Sequence, residues 1–379
     1  MDLEILRTRI NEIDKEIVKL FVERMQTSAK IAEAKSEKNL PVLDKKRENI
    51  VIQNVMNEAG EEFELYIKTL YNTMFEVSRN YQSSLINKTT PISQEILQNI
   101  QNPKIEFPRK ATVACQGVEG SYAEQACSKL FNIRNTMFFN NFESVFNAVE
   151  TGLCQYGVLP IENSSAGSVT EVYDLMCKHK FYIVKSTKLH VNHALVSKKG
   201  VNLSDIKEVI SHEQALQQCS EFFKLLPDIK VTLFENTATA AKYISECDRN
   251  DIAAICSTDC AKLYGLSILK ENLQNNQNNY TRFICIAKDM EIYAGSNKIS
   301  LMLSVEHRPG SLYEMIGNVA CQGLNLSKIE SRPIPGKDFE FLFYFDIEGS
   351  VFSTYVLDLI KNMESSAERF TFLGCYSEI

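Results

Sequence analysis

The sequence predicts a multidomain protein of three successive modules: an all-α helical module built to dimerise, a two-lobed α/β module, and a closing α+β module. Three observations carry that prediction. Apolar residues in the opening stretch recur at three-four spacing. From Ala111 the texture changes to short apolar runs alternating with helical patterns. The 379 residues also exceed one core, since domains of about 100–200 residues are the usual unit.

The helical module occupies residues 1–88. From Leu3 to about Asn39 a seam runs through Leu3, Leu6, Ile10, Ile13, Ile17 and Leu20, then Arg24, Thr27, Ile31 and Ala34. At 1.5 Å per residue such a helix is ~54 Å long. That is longer than a small module can cover, so a second chain is expected against it. Pro41 stops the helix, Asp44 caps a second from about Lys45 to Glu58, and a third runs from about Glu62 to Ile86. Residues 89–108 are polar, carry Pro91, Pro103 and Pro108, and read as a linker.

The α/β module, residues 109–288, alternates first through Thr112–Cys115, Ser121–Leu130, Phe142–Glu150, Tyr156–Pro160 and Val169–His179. A second alternation covers Tyr182–Val196, Ile206–Ile210, Glu213–Leu225, Lys230–Phe234, Thr237–Glu246, Ile252–Cys256 and Thr258–Tyr264. Two α/β lobes with a cleft between them follow. The asparagine and glutamine run Asn272–Asn279 reads as a solvated loop. Residues 296–379 run strand, helix, strand, strand, helix, strand, which fits a ferredoxin-like α+β sandwich.

Composition narrows the function. With 44% apolar residues, no tryptophan, no uncharged apolar run of ~18 residues and a charged amino end, neither a membrane span nor a signal peptide is read, and a cytoplasmic protein is expected. A net charge of −7 argues against nucleic acid or an anionic membrane as main partner. An anionic substrate would need local cationic pockets. Eleven cysteines with no Cys-x-x-Cys pair, none before Cys115, suit reduced and mostly buried thiols. Cys256 and Cys260 come nearest to a metal pair, but no metal and no cofactor is expected.

Candidate chemistry falls in each module. Arg24 stands where the helical seam expects an aliphatic residue, and an unpaired guanidinium buried there costs several kcal/mol, so an anion should meet it. Lys35, eleven residues on, returns to within about 20° of the same face and ~16 Å further along. Arg7 lies ~25 Å from Arg24 on its own helix and can reach that slot only from an antiparallel partner. Asp44, Arg47 and Glu48 share a face of the second helix, as Ser78 and Gln82 do on the third. A coiled-coil dimer laced with surface ion pairs accounts for the same spacing.

In the α/β module the run Gly157-Val-Leu-Pro-Ile-Glu-Asn-Ser-Ser-Ala-Gly-Ser-Val169 is an apolar strand emptying into small hydrogen-bonding residues, with Gly167 permitting close backbone approach. A serine-capped strand-to-helix turn reads equally well. Gln116–Tyr122, Ser211–Cys219 and Asn279–Phe283 also sit at strand ends, and hydroxyls and amides dominate all four segments. Gly117 and Gly120 lack the lysine or third glycine of a phosphate loop. His212 reads as a base or as a capping residue. In the last module Arg308-Pro-Gly-Ser-Leu312 leads into a helix whose first backbone groups can take a carboxylate, or simply makes a turn in a dimerisation sheet.

The combination Leu6-Arg7, Arg24, Lys35, Pro41-Val42, Asp44, Arg47-Glu48 and Ser78-x-x-x-Gln82 resembles the all-helical chorismate mutase family. The resemblance implies that Arg7 of a partner subunit, Arg24, Lys35 and Arg47 bind the carboxylates and ether oxygen of chorismate. Asp44 and Glu48 would address the hydroxyl and ether region, with Ser78 and Gln82 completing the pocket. Among these, Lys35, Gln82 and Glu48 are the expected catalytic groups. Such a rearrangement needs a held conformer and donors facing the charge that grows on the ether oxygen.

Residues Arg109–Lys288 resemble prephenate dehydratase, with Thr281-Arg282-Phe283 as the most diagnostic mark. The resemblance implies that Thr281 is the catalytic hydroxyl and that Asn163, Ser211 and Gln218 are substrate residues, in a reaction that expels water and carbon dioxide to give phenylpyruvate. Val118, Gln155 and Glu213 depart from the usual pattern, and arogenate dehydratases look very similar. Lys298–Ile379 resembles the ACT regulatory domain, which implies an amino-acid site, here for phenylalanine, framed by Gly310, Leu312, Glu330, Ser331, Arg332 and Pro333, although Tyr313 replaces a small aliphatic residue. The whole chain thus resembles a bifunctional, phenylalanine-regulated enzyme, a homodimer or a pair of dimers. A non-catalytic amino-acid sensor is the competing class.

Overall fold

The computed structural model describes all residues except Met1, Asn39, Pro41, 86–88, 102–103, Pro335 and 338–339, and all other side chains but that of Ser84. Two compact units divide the chain: Met1–Gln101 with Leu301–Phe372, and Asn102–Ser300 with Leu373–Ile379. The closing module therefore belongs largely to the same unit as the helices.

Helix α1 spans Leu3–Glu37 and is started by Asp2, whose carboxylate accepts from the Glu4 amide. Its expected stop at Pro41 lies outside the described residues. The seam residues Leu3, Leu6, Ile10, Ile13, Ile17 and Leu20 are all exposed, Ile10 by 56%. Helix α2, Lys45–Ala59, is capped by Asp44 as expected, and α3 runs Glu64–Leu85. The stretch 89–108, expected to be a linker, holds a further helix, α4, Pro91–Gln101. Thr90 and Ser93 exchange backbone and hydroxyl hydrogen bonds at 2.8 and 3.3 Å, a reciprocal cap, and Pro91 fits the first helical position. Ser93 and Ile96 are fully buried, so the polar composition concealed an inward face.

The second unit begins with β1 (Lys110–Gln116), α5 (Tyr122–Leu130), β2 (Ile133–Phe139), α6 (Phe142–Glu150), β3 (Tyr156–Asn163), the short β4 (Gly167–Ser168), α7 (Thr170–Met176) and β5 (Tyr182–His190). The chain then crosses to a second lobe: β6 (Ala194–Ser197), β7 (Glu208–Ser211), α8 (Glu213–Gln218), α9 (Ser220–Lys224), β8 (Lys230–Leu233), α10 (Thr237–Glu246), β9 (Ile252–Cys256), α11 (Thr258–Leu263) and β10 (Ser267–Lys270). It returns to the first lobe as β11 (Tyr280–Ala287). The two sheets are ordered β2-β1-β3-β11-β5 and β10-β6-β9-β7-β8, with β4 hairpinned on β3.

The two crossings are stitched together. Val191 donates to the Asn279 carbonyl at 2.7 Å, Leu273 to that of His193 at 2.9 Å, and the His193 amide to Gln274 Oε1 at 3.0 Å. The run Asn272–Asn279 is accordingly not a solvated loop throughout: Leu273, Gln274 and Asn279 are buried, the last to 1% exposure. Main-chain bonds and the Gln274 side chain together hold the lobe-to-lobe connection.

The closing module comprises β12 (Lys298–Ser304), α12 (Ser311–Cys321), β13 (Asn325–Pro333), β14 (Phe341–Glu348), α13 (Thr354–Ser366) and β15 (Arg369–Tyr376). Sheet order β13-β14-β12-β15 puts its first and third strands at the centre, as the predicted split arrangement requires. Helices α12 and α13 pack on α3, and α13 also on α4. At the closest approach a Cβ on Gly317 would lie 2.7 Å from Glu76 Oε2. Among the described residues no helix is long and apolar enough to cross a membrane.

Candidate functional site

In the helical module, α1 turns Arg24 and Ser28 toward α3, which presents Phe75, Ser78 and Gln82 at helical spacing. The Ser28 and Ser78 hydroxyls are hydrogen-bonded at 2.6 Å, and Gln82 Nε2 donates to Ser28 Oγ at 2.6 Å. All three are buried. The Arg24 guanidinium lies 5.4 Å from the Phe75 ring centroid. Its Nη1 and the Gln82 Oε1 are buried with no hydrogen-bond partner. Native interiors rarely leave such groups unmatched, and a stranded cationic donor calls for an anion.

Around this centre Lys35 Nζ donates to the Val42 carbonyl at 2.6 Å, and Glu48 accepts two contacts of 2.6 and 2.8 Å from Arg79 Nη1. Asp44 is exposed and occupied in capping α2, and the Arg47 side chain is exposed beside it. Arg7 pairs with Glu4 at 3.0 Å near the start of α1, out of reach of Arg24 on its own chain. The structure thus joins Ser78 and Gln82 through Ser28, sets Arg24 one helical turn away against Phe75, and leaves Arg7 apart. Ser28 and Arg79 were not read from the sequence, although Ser28 stands one helical turn after Arg24 on the same face.

In the α/β unit Thr281 of β11 lies opposite Asn163 of β3 in the antiparallel register. Asn163 Nδ2 donates to Thr281 Oγ1 at 2.9 Å and to Asn279 Oδ1 at 2.8 Å. Asn279 Nδ2 donates to Gln218 Oε1 at 3.1 Å, and Gln218 Nε2 to Asn163 Oδ1 at 3.4 Å, closing a ring of three amides. The sense of the ring is set by Asn163, because its Oδ1 also accepts the Ser165 and Ala166 main-chain amides at 3.0 and 2.9 Å. Thr281 Oγ1 therefore accepts from Asn163, and among the described residues no protein acceptor takes its proton. The Thr281 side chain is only half-buried, so that proton can meet a ligand.

His193, 2% exposed, adjoins the ring with Nε2 at 3.0 Å from Gln218 Oε1 and Nδ1 at 3.4 Å from the Tyr122 hydroxyl. Burial lowers its pKa, only partly offset by the Gln218 bond, and favours the neutral imidazole. Tyr122, from the Gln116–Tyr122 segment, donates to the Asn192 carbonyl at 2.8 Å.

Ser211 does not join this cluster. It is fully buried and its hydroxyl donates to the Ile255 carbonyl at 2.7 Å, because the end of β7 points it into the second sheet. His212 caps α8, its Nδ1 accepting from the Gln214 amide at 3.2 Å, which is the capping role. Arg282 pairs with Glu162 at 3.5 Å. Asn279 and His193 were missed as site residues. The first was hidden in a low-complexity run, the second between two apolar strands.

In the closing module Gly310 adopts φ +88° at the head of α12, a left-handed turn that favours glycine, and Leu312 is half-buried behind it. Glu330, Ser331, Arg332 and Pro333 end the edge strand β13, Ser331 and Pro333 exposed and the other two half-buried. Among the described residues no three His, Cys, Asp or Glu side chains are grouped to hold a metal ion.

Comparison with known proteins divides the chain the same way. Residues 6–83 match chorismate mutase type II and residues 113–291 match prephenate dehydratase. A bifunctional chorismate mutase/prephenate dehydratase of Buchnera aphidicola is 31% identical over 380 residues, covering 99% of this chain and 96% of the relative. An Arabidopsis thaliana chloroplastic arogenate dehydratase/prephenate dehydratase is 38% identical over 283 residues, 70% of this chain and 72% of that one. The crystal structure of prephenate dehydratase in complex with L-Phe from Arthrobacter aurescens superposes with a TM-score of 0.65 at 28% identity, over 70% of this chain and 90% of that one.

Proposed function

The chain belongs to the bifunctional chorismate mutase/prephenate dehydratase family, and we propose that its two polar clusters carry the two reactions in succession. The protein converts chorismate to prephenate and prephenate to phenylpyruvate, the second step by dehydration with decarboxylation, in phenylalanine biosynthesis. The observation that carries this reading is the presence of both clusters in one chain matched along its length by a bifunctional relative.

In the helical cluster the stranded Arg24 Nη1 takes a substrate carboxylate. Lys35 and Gln82 serve the ether oxygen, where negative charge grows as the carbon–oxygen bond stretches. Glu48 and Ser78 line the pocket, Asp44 and Arg47 close its rim, and Arg7 arrives from a second subunit. The exposed α1 seam supports that homodimer, since an apolar stripe of this length is covered in a stable protein. In the α/β cluster Thr281 donates its unclaimed proton toward the departing ring hydroxyl, while Asn163 and Gln218 hold the acceptor side of the site. A threonine is too weak an acid to be a bulk proton source, so its value is position. Both steps proceed without metal or cofactor in this cytoplasmic enzyme.

The closing module acts as an ACT-type regulatory domain for phenylalanine at Gly310, Leu312 and Glu330–Pro333. Its strand order and the phenylalanine complex of the Arthrobacter relative support this. The test is direct: purified protein given chorismate yields phenylpyruvate, read by absorbance in alkali, and phenylalanine suppresses it. Chorismate consumed without phenylpyruvate, or not consumed, overturns the proposal. Identity to the Arabidopsis enzyme favours arogenate as a second dehydratase substrate. Side-by-side turnover of prephenate and arogenate decides.

A further inference from the structure

We propose that His193 is a positioning residue for the dehydratase reaction, setting through the amide ring the direction in which Thr281 offers its proton; the idea rests on the dehydratase function proposed above. Gln218 Oε1 already accepts from Asn279 Nδ2 at 3.1 Å, so the His193 nitrogen 3.0 Å away can only be a donor. The imidazole is therefore the Nε2–H tautomer, with Nδ1 turned to the Tyr122 hydroxyl at 3.4 Å. Its donated bond keeps Gln218 from flipping its amide. A flipped Gln218 would place two N–H groups against Asn279 Nδ2 and present its oxygen to Asn163 Oδ1, an arrangement with clashing donors and clashing acceptors. Asn163 would then lose its hold, and the bond it gives Thr281 Oγ1 at 2.9 Å would no longer force the threonine proton toward the cleft.

The location reinforces the argument. His193 stands in one of the two crossings between lobes, tied to the other through Gln274 and Leu273, while Asn163 and Gln218 come from opposite lobes. The histidine thus reaches the reacting threonine only through other side chains, from a buried place that no substrate touches. Among the described residues Gln218 is the polar side chain bonded to its ring, while Nδ1 faces the Tyr122 hydroxyl, whose proton goes to the Asn192 carbonyl.

The experiment compares His193→Phe, which keeps the aromatic packing against Tyr122, with His193→Gln, whose amide nitrogen can replace Nε2–H. Prephenate turnover should fall roughly 10- to 100-fold in kcat for His193→Phe with KM changed by less than about threefold, and His193→Gln should recover most of it. In the Gln218→Ala background His193→Phe should cost nothing further, because both act along one line. Equal losses in the Phe and Gln variants, or losses that multiply with Gln218→Ala, overturn the proposal. Nitrogen-15 spectra of the wild-type protein, with His193 assigned from the Gln variant, should show a neutral ring with its proton on Nε2 at neutral pH. A proton on Nδ1 alone also overturns it, whether or not His193→Phe folds. Absence of prephenate turnover in the wild-type protein would instead remove the proposed function, leaving the tautomer to judge the ring.

Discussion

In the helical cluster Arg24 Nη1 and Gln82 Oε1 are buried and unmatched, whereas in the α/β cluster Asn163 donates to Asn279, Asn279 to Gln218 and Gln218 back to Asn163, and the Thr281 proton is left for a ligand. In the proposed function the first site is built from charge and needs a second chain. The second is built from neutral dipoles and is complete within one. This difference matches the chemistry proposed for each. A rearrangement in which charge grows on one oxygen profits from fixed cations, but a dehydration driven by aromatisation mainly needs one proton aimed well.

Removing the aimed proton should have the largest effect. Thr281→Ala is expected to lower prephenate turnover by roughly 10²–10⁴-fold with chorismate consumption retained, and Thr281→Ser to recover part of it. Parallel loss of both activities would erase the distinction between the sites. Arg24→Ala should then lower chorismate turnover by roughly 10²–10³-fold while prephenate supplied directly is still converted. A sharper probe of incompleteness is Ile10→Glu with Ile17→Glu on the exposed seam. Light scattering should show the mass of the assembly falling, and chorismate turnover should drop at least about tenfold as Arg7 leaves the site, with prephenate turnover held. Unchanged chorismate turnover in a monomer would mean that one chain suffices.

The smallest effect concerns stability. Glu76 is 5% exposed, and burial raises its carboxyl pKa above the ordinary 4.5; Arg79 opposes the shift, and Glu314 and Glu48 add to it. An acid with a raised folded-state pKa gives its full stability below the ordinary value and loses it as pH rises through the raised one. Glu76→Gln should therefore raise the melting temperature by a few degrees at pH 7 and leave it unchanged near pH 4. A gain at both values would show that the carboxyl charge is not the cause.

How far the sequence carried the structure differs between the same two regions. Spacing along α1 turned Arg24 onto the face that meets α3, because a helix repeats every 3.6 residues and a misfit cation shows at once. Asp44 was legible as a cap for the same local reason. The helix Pro91–Gln101 was not, since its burial comes from α13, far along the chain. Thr281 and Asn163 were read from short motifs and meet in register. Ser211, in an equally suggestive motif, turns its hydroxyl into the sheet, because a strand end offers two opposite directions and no local signal chooses between them. His193 and Asn279, which escaped notice, make their contacts to Gln218 across a lobe boundary, which a linear pattern cannot display.

A Cβ on Gly317 would press on the Glu76 carboxylate at 2.7 Å, and Ile96 is sealed by neighbours that include α13. The fusion of helical and closing modules is consequently written into atoms as well as into a reading frame. A gene split after residue 101 would strip α12 and α13 from α3 and α4 and uncover Ile96, which is fully buried in the whole chain.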